Sequence, residues 1–361
     1  MKVLLIRTDR MGDVILSTPV ATLIKRAHPD WRVEMLVARQ LVPLVGVHRD
    51  VDAVLEFGGR DSSLRELVRL LRSRRYDAAV LLHPTFRLAL SLWLARIPRR
   101  IGTAYRLYSF LLNERVPVHR KRSRLHELEL NVLTASPLGL APLPESGELF
   151  RFELPEEEER RLAEKLARAG VEPAARPIVL HPGSGGSARN WPVRRFAELA
   201  ELLHARGIGP IVITGTSAER QLVDELVRLA AVPLVRLDGE LEILQLAALL
   251  QRARVVVANS TGPLHLAVAM GAPVVGLYCP IGPCHPRRWG PYGRRDAVLM
   301  PDVPECDRCR ASCPHYDCME SIPADRVAAK IGQVMQLSEG DRARRQPLGA
   351  EAENAVSYGD Q

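Results

Sequence analysis

Two hydrophobic rhythms alternate along the chain. A short, solid apolar run stands at 3–6 (VLLI), the pattern of a buried parallel strand, and further strands are read at 32–38 (RVEMLVA), 53–57 (AVLEF) and 78–83 (AAVLLH). Between them lie helix-length segments. One runs from Ser17 to Ala27, with Pro19 in its first turn, where a missing N–H does no harm. Another runs from Ser62 to Arg74, and a further helix is expected over 125–136. Strands alternating with helices predict βαβ units and a parallel sheet. The stretch 139–147 (GLAPLPESG) breaks the pattern with Pro and Gly. A charged helix follows over 154–169, its Glu residues placed at the positive end of the helix dipole. The rhythm then restarts. Strands are predicted at 178–181, 210–214, 234–237, 254–258 and 273–278, with helices at 193–205, 218–230, 241–250 and 264–270. The fold class is therefore α/β, in two domains, 1–152 and 153–337. The tail 338–361 has little apolar periodicity and is expected to be disordered.

Composition narrows the function without choosing it. The 361 residues correspond to about two domains, enough to bury a core without staples. Aromatics are only 5%, which argues against stacking platforms for single-stranded nucleic acid. Lys and Arg number 50 against 42 Asp and Glu, a net +8. That excess suits an anionic ligand, an anionic membrane surface or nucleic acid, and a bias toward Arg on solvated faces would also produce it. It concentrates between Arg96 and Arg124, where Tyr105, Tyr108 and Phe110 are interspersed. Charges at Arg7, Asp9, Arg10 and Asp13 interrupt the opening apolar run, so it does not read as a signal peptide. No stretch approaches the roughly 18 apolar residues of a membrane span. A cytosolic setting is expected, where thiols stay reduced, and the six cysteines then need a reading other than disulfides.

Five constellations carry candidate chemistry. Arg7 to Asp13 closes the first strand and opens the first helix, where open α/β sheets bind ligands. Asp13 would stand at the mouth of a cleft, or serve only as an acid at a helix start. The loop 181–192 (HPGSGGSARNWP), containing Gly183, Ser184 and Arg189, leaves the first strand of the second domain. Its N–H groups and Arg189 suit phosphate, though it lacks both the Walker ending and a dinucleotide-binding Gly-x-Gly-x-x-Gly. At 258–265 (ANSTGPLH), Ser260, Thr261 and Gly262 precede a helix opened by Pro263, with His265 in its first turn. A pyrophosphate fits such a helix start, and so does a plain capping motif. Glu219, just past a strand end, could accept hydrogen bonds from ribose hydroxyls or merely complement a helix dipole. Cys306, Cys309, Cys313 and Cys318, with His315 among them, open on zinc-ligand spacing but continue wider than a standard ribbon. Cys279 and Cys284 read as space-filling. Asp50-Val51-Asp52 matches the Asp-x-Asp of metal-dependent glycosyltransferases, but it leads into the third strand, away from the phosphate loops, and reads as a solvated turn.

Taken together, four ordered segments resemble glycosyltransferase family 9, the ADP-heptose:lipopolysaccharide heptosyltransferases. They are MKVLLIRTDRMGDVILSTPV, VLHPGSGGSARNWPVRRFAELA, VVVANSTGPLHLAVAMGAPVVGLY and the closing CDRC…CPHYDCMESI. The resemblance spans about residues 1 to 335. It implies the GT-B fold, two Rossmann-like domains facing a cleft, with the last ordered helix crossing back. It also implies an inverting, metal-independent transfer of a heptose or related sugar from an ADP-sugar to an inner-core lipopolysaccharide acceptor. By position, Asp13 matches the family's general base and Arg189 a basic residue on the donor phosphates. Glu219 matches an acid holding the donor nucleoside. Gly183 and Ser184, with Ser260, Thr261, Gly262 and His265, fall in the donor-binding turns. Arg10, Arg99, Arg100 and Arg106 are expected to face the acceptor. Two positions depart from the pattern: Ser260 stands where well-known members have aspartate, and Arg189 where lysine is commoner.

On this reading no cofactor is required, and the cysteine cluster is a candidate for structural zinc. The partners are an ADP-sugar, a lipid-linked oligosaccharide and the cytoplasmic face of the inner membrane, with no nucleic acid. Rival readings are transfer of another nucleotide sugar, a nucleotide-sugar epimerase or hydrolase of the same architecture, and a nucleic-acid-binding module resting on the basic middle.

Overall fold

The computed structural model describes residues 1–345 apart from 60–62, 121–122, 145–148, 173, 187–188 and 308–312, with side chains to residue 337. The first domain holds strands β1 (Lys2–Ile6), β2 (Arg32–Ala38), β3 (Ala53–Phe57), β4 (Ala78–Leu81), β5 (Arg99–Thr103) and β6 (Glu114–Val116). Its helices are α1 (Met11–Ile15), α2 (Thr18–Ala27), α3 (Val42–Gly46), α4 (Leu64–Arg74), α5 (Phe86–Leu94) and α6 (Glu127–Ala135). The second holds α7 (Glu156–Arg168), β7 (Ile178–His181), α8 (Val193–Ala205), β8 (Ile211–Ile213), α9 (Arg220–Leu229) and β9 (Val235–Arg236). It continues with α10 (Ile243–Arg252), β10 (Val255–Asn259), α11 (Gly262–Ala269), β11 (Val274–Leu277), α12 (Pro286–Trp289), β12 (Val298–Leu299) and α13 (Ala324–Arg345).

Both sheets are parallel, and both follow one plan. The first runs β3-β2-β1-β4-β5-β6 and the second, read from its other edge, β9-β8-β7-β10-β11-β12. The order reverses between β1 and β4 and between β7 and β10, the switch points where α/β sheets bind ligands beyond their carboxyl ends. The solid apolar runs are the central strands: Val3, Leu4, Leu5 and Ile6 are wholly buried, as are Val255, Val256, Val257 and Ala258. The two switch points face each other, because α1 packs on α11. Two glycines permit that approach. A Cβ on Gly12 would lie 2.6 Å from His265 Cδ2, and one on Gly262 would lie 2.9 Å from Met11 Cβ.

Several elements depart from the sequence reading. The helix expected over 17–27 is α2, and a separate short helix, α1, precedes it; Pro19 in the first turn of α2 has no N–H with which to bond back and fuse the two. This break places Asp13 inside a helical first turn. The basic middle folds into β5 and β6, whose facing charges Arg99 and Glu114 pair. The last helix, expected to cross back, makes its main contacts within the second domain. It packs on α8 and β11, and its Val327, Ile331, Val334 and Met335 join the second domain's core. It also runs to Arg345, into the tail read as disordered; residues 346–361 lie outside the described residues.

Candidate active site

Directly after β1, Arg7 is turned inward and buried. Its Nε donates to Asp9 at 2.7 Å, and Nη1 donates to Glu127 Oε1 at 3.0 Å and Asn131 Oδ1 at 3.1 Å. Nη2 pairs with the Asp13 carboxylate. Glu127 and Asn131 are one turn apart on α6 and so share a face. Glu127 is wholly buried and also receives Arg120 at 3.0 Å. From the second domain, Arg288 adds two further bonds to it at 2.9 and 2.8 Å. One carboxylate thus holds three guanidinium groups and ties the two domains together.

The charges in this network set one another. Burial alone would push Glu127 up, but Arg7, Arg120 and Arg288 outweigh it and hold it down at about 2. Burial opposes the charge on Arg7, yet Asp13, Asp9 and Glu127 keep it firmly protonated. Asp13 is the exception. Burial raises it to about 6, Arg7 opposes the rise, and the like charges of Asp9 and Glu127 add to it. A carboxylate ionised at neutral pH but basic enough to take a proton is the profile of a general base.

Across the domain gap lies a cavity of about 170 Å³, lined by Arg10, Gly12, Asp13, Ser260, Thr261, Gly262, His265, Pro283, Cys284 and Trp289. It brings Arg10 and Asp13 together with the whole 260–265 turn. The α11 N-terminus opens here, where free N–H groups favour an anion. His265 is buried and held down to about 3 by desolvation, with His126 adding to the effect, so it acts as a neutral imidazole. The Tyr278 hydroxyl bonds with Ser260 and donates to Trp289 O at 2.7 Å. Cys284, read as space-filling, is instead a wall of this cavity. Beside it, a larger cavity of about 520 Å³ lies between the domains, with Arg124, Arg287 and Arg295 on its walls. There His126 Nε2 donates to Gly290 O at 2.9 Å, a further bond between the domains.

The remaining residues expected to bind a donor gather at the carboxyl ends of β7 and β8. Gly183 lies against Glu219: a Cβ there would fall 1.8 Å from Glu219 Oε1. Glu219 is aligned by bonds from Thr216 N and Oγ1 at 2.8 and 2.9 Å. Ser184 is buried in the same loop. Asn259 fixes this loop to β10, its Oδ1 accepting from Trp191 N at 2.8 Å and its Nδ2 donating to Pro182 O at 2.7 Å. Arg189 is not on the cavity wall. Its guanidinium stacks 3.5 Å from the centre of the Tyr316 ring and lies 3.8 Å from Asp317.

Other expectations are corrected. Arg99 and Arg100 open β5, at the amino end of the strand and away from the cleft. Arg99 forks onto Glu114 at 2.6 and 2.9 Å, and Arg100 donates to Leu111 O and Ile97 O at 2.9 and 2.7 Å. Both brace the β5–β6 side of the sheet, at the end of the strand opposite the cleft. Arg106 lies past the carboxyl end of β5, exposed on the rim. The Asp50-Val51-Asp52 turn is not solvated throughout: Asp50 is buried against Arg151 at 2.8 Å, and Asp52 accepts from Val33 N at 2.6 Å. Cys306, Cys313, Cys318 and His315 border a cavity of about 30 Å³. Among the described residues, no group of three such side chains is placed to hold a metal ion; Cys309 lies outside them.

Arg7, Glu127, Asn131 and Arg288 were missed as site residues. The one local signal was a charge following a solid apolar strand, and the Glu127–Asn131 spacing on α6 would have extended it.

Comparison with known proteins identifies the family and the fold. Residues 64–318 match the family model of glycosyltransferase family 9 (heptosyltransferase). Lipopolysaccharide heptosyltransferase 3 of Escherichia coli is 24% identical over 348 residues, 91% of this chain and 97% of the relative. A crystal structure of a family 9 glycosyl transferase from Veillonella parvula superposes with a TM-score of 0.79 at 20% identity, covering 93% of this chain and 97% of that one. The ADP-heptose heptosyltransferase II of E. coli gives 0.77 at 22% identity, covering 94% and 100%.

Proposed function

The chain belongs to glycosyltransferase family 9, and from that premise we propose that it moves a heptose from an ADP-sugar to an inner-core lipopolysaccharide acceptor, with inversion and without a metal. One observation carries the reading. A carboxylate tuned to about 6, Asp13, faces the α11 N-terminus across a cavity that both domains line. A base and a site for a leaving diphosphate therefore stand on opposite sides of one space.

The chemistry follows. The acceptor hydroxyl enters from the first domain, and Asp13 takes its proton. The oxygen attacks the anomeric carbon from the face opposite the diphosphate, the glycosidic bond to ADP breaks, and the configuration inverts. Negative charge grows on the departing ADP. The α11 N–H groups, neutral His265 and Arg189 are the donors proposed to stabilise it. The Gly183–Glu219 contact is proposed to seat the nucleoside. Arg10 and Arg106 are the rim cations left for an anionic acceptor, now that Arg99 and Arg100 are committed to the sheet edge.

The acceptor is lipid-linked on this reading, and the enzyme works at the cytoplasmic face of the inner membrane. Among the described residues, no helix is long and apolar enough to cross a membrane. No cofactor enters the transfer. A structural zinc on Cys306, Cys309, Cys313 and Cys318 remains proposed; it requires these side chains to draw together, since no three metal-binding side chains converge among the described residues. Elemental analysis of the purified full chain tests it, and a zinc-free, active protein overturns it. The transfer itself is tested by mass spectrometry of lipopolysaccharide from a deletion strain. Loss of one heptose, restored by the wild-type chain and not by Asp13→Ala, is the expected result. A core of unchanged mass overturns the reading.

A further inference from the structure

Large apolar side chains stand in solvent on one region of the first domain. On α5, Phe86 and Trp93 are 55% and 50% exposed. With half-buried Leu90 they occupy positions i, i+4 and i+7, a single stripe of the helix. The turn Leu107–Leu111 packs beside α5. Leu107 is 99% exposed and Phe110 72%, and three residues apart in a 3₁₀ turn they share a face. Phe86 meets Tyr108 edge to face with ring centres 6.0 Å apart, and the Tyr108 hydroxyl donates to Pro84 O. Stripe and turn are therefore one patch. It is also firmly mounted, because Leu88, Leu92, Leu111 and Leu112 are buried beneath it.

Single exposed apolar residues are ordinary, whereas a contiguous group of them marks an interaction surface. The charge around this group identifies the partner. No Asp or Glu occurs between Asp77 and Glu114, while the same stretch carries Arg87, Arg96, Arg99, Arg100 and Arg106. Arg96 and Arg106 are exposed, as is Arg115 just beyond. An apolar face whose own segment, 78–113, carries arginine and no carboxylate complements an anionic phospholipid surface.

We propose that this patch docks the protein on an anionic phospholipid bilayer, Leu107 and Phe110 entering the headgroup–acyl boundary with Phe86 and Trp93 behind them, and Arg96, Arg106 and Arg115 meeting lipid phosphates. The patch borders the site. Burial disfavours protonation of His83, and among the nearby cations that add to this is Arg106; His83 Nδ1 lies 3.0 Å from Thr8 Oγ1 in the loop that leads to Asp13. Docking would thus turn the acceptor side of the cleft toward the bilayer. Only this orientation rests on the proposed function; lipid binding does not.

The test is co-sedimentation of the full chain with vesicles of phosphatidylethanolamine and phosphatidylglycerol, set against vesicles of phosphatidylcholine alone. Wild type is expected to pellet with the anionic vesicles and to be released by salt. The double variant Leu107→Asp/Phe110→Asp should lose about tenfold or more in vesicle binding, with an unchanged melting temperature because both positions are exposed. Arg96→Glu/Arg115→Glu should lose the preference for anionic lipid. With a soluble, deacylated acceptor the Leu107/Phe110 variant should match wild type, which separates failure of docking from failure of the catalytic reading. Wild type that stays in the supernatant, or a double variant that pellets equally, overturns the proposal. So does light scattering that shows a dimer dissociated by the same substitutions, since the patch would then join two copies of the chain.

Discussion

Asp13 is predicted to set the acid limb of the pH–rate profile. An ordinary aspartate titrates at 3.8, and burial beside Asp9 and Glu127 lifts this one to about 6 despite Arg7. The difference corresponds to about 3 kcal/mol against the carboxylate. At pH 7 about nine-tenths of the sites are ionised, and at pH 5 about one-tenth. The rate of ADP release at low substrate should therefore fall about tenfold per pH unit below 6. Asp13→Asn should remove the limb and lower turnover by about 10²–10⁴. The same shift has a stability consequence with a definite sign. Because folding raises this pKa, the folded state binds the proton more tightly. The stability that Asp13 contributes is complete below about 3.8 and is lost as pH rises through about 6. Asp13→Asn lacks that loss, so its melting temperature should gain on wild type between those two values and stay ahead at neutral pH. Steady-state kinetics and thermal melts at matched pH supply both readings. An acid limb near 4, a flat profile, or an Asn variant of near-normal turnover would refute the assignment.

Three further outcomes follow from the geometry. Arg288→Ala removes two charge-assisted bonds between the domains while Glu127 keeps Arg7 and Arg120. It should weaken domain closure by about 1.5–3 kcal/mol, seen as a raised KM with the acid limb still near 6, and an unchanged KM would count against a closure role. Arg189→Ala should weaken ADP binding by about tenfold or more, and Arg189→Lys by less, because lysine keeps the charge without the fork; calorimetry that finds less than about a twofold change for alanine would make Arg189 a structural partner of Tyr316 alone. Transfer should persist in EDTA, and loss of activity restored by magnesium would overturn the metal-free mechanism.

The sequence by itself determined the parts whose physics is local. Short apolar-rich runs of four to seven residues, bounded by turn signals and too short for helices, read as buried strands, and their alternation with helices predicts parallel sheets and loops at the carboxyl ends. The positions of the loop 181–192, the 260–265 turn and Asp13 were legible because each follows a strand at a short offset. What only the tertiary structure decided are the interactions of distant segments. The contacts of Glu127 with Arg7 and Arg288 span 120 and 161 positions, and no local pattern encodes them. The same holds for Arg99 and Arg100, which read as free cations until β6 supplied Glu114 and the Leu111 carbonyl. Strand direction then places them at the wrong end of the sheet for a ligand. Asp13 shows the division most clearly. Its position was readable, but its proton affinity depends on how much water the fold removes and which charges the fold brings near, and only folding sets either quantity.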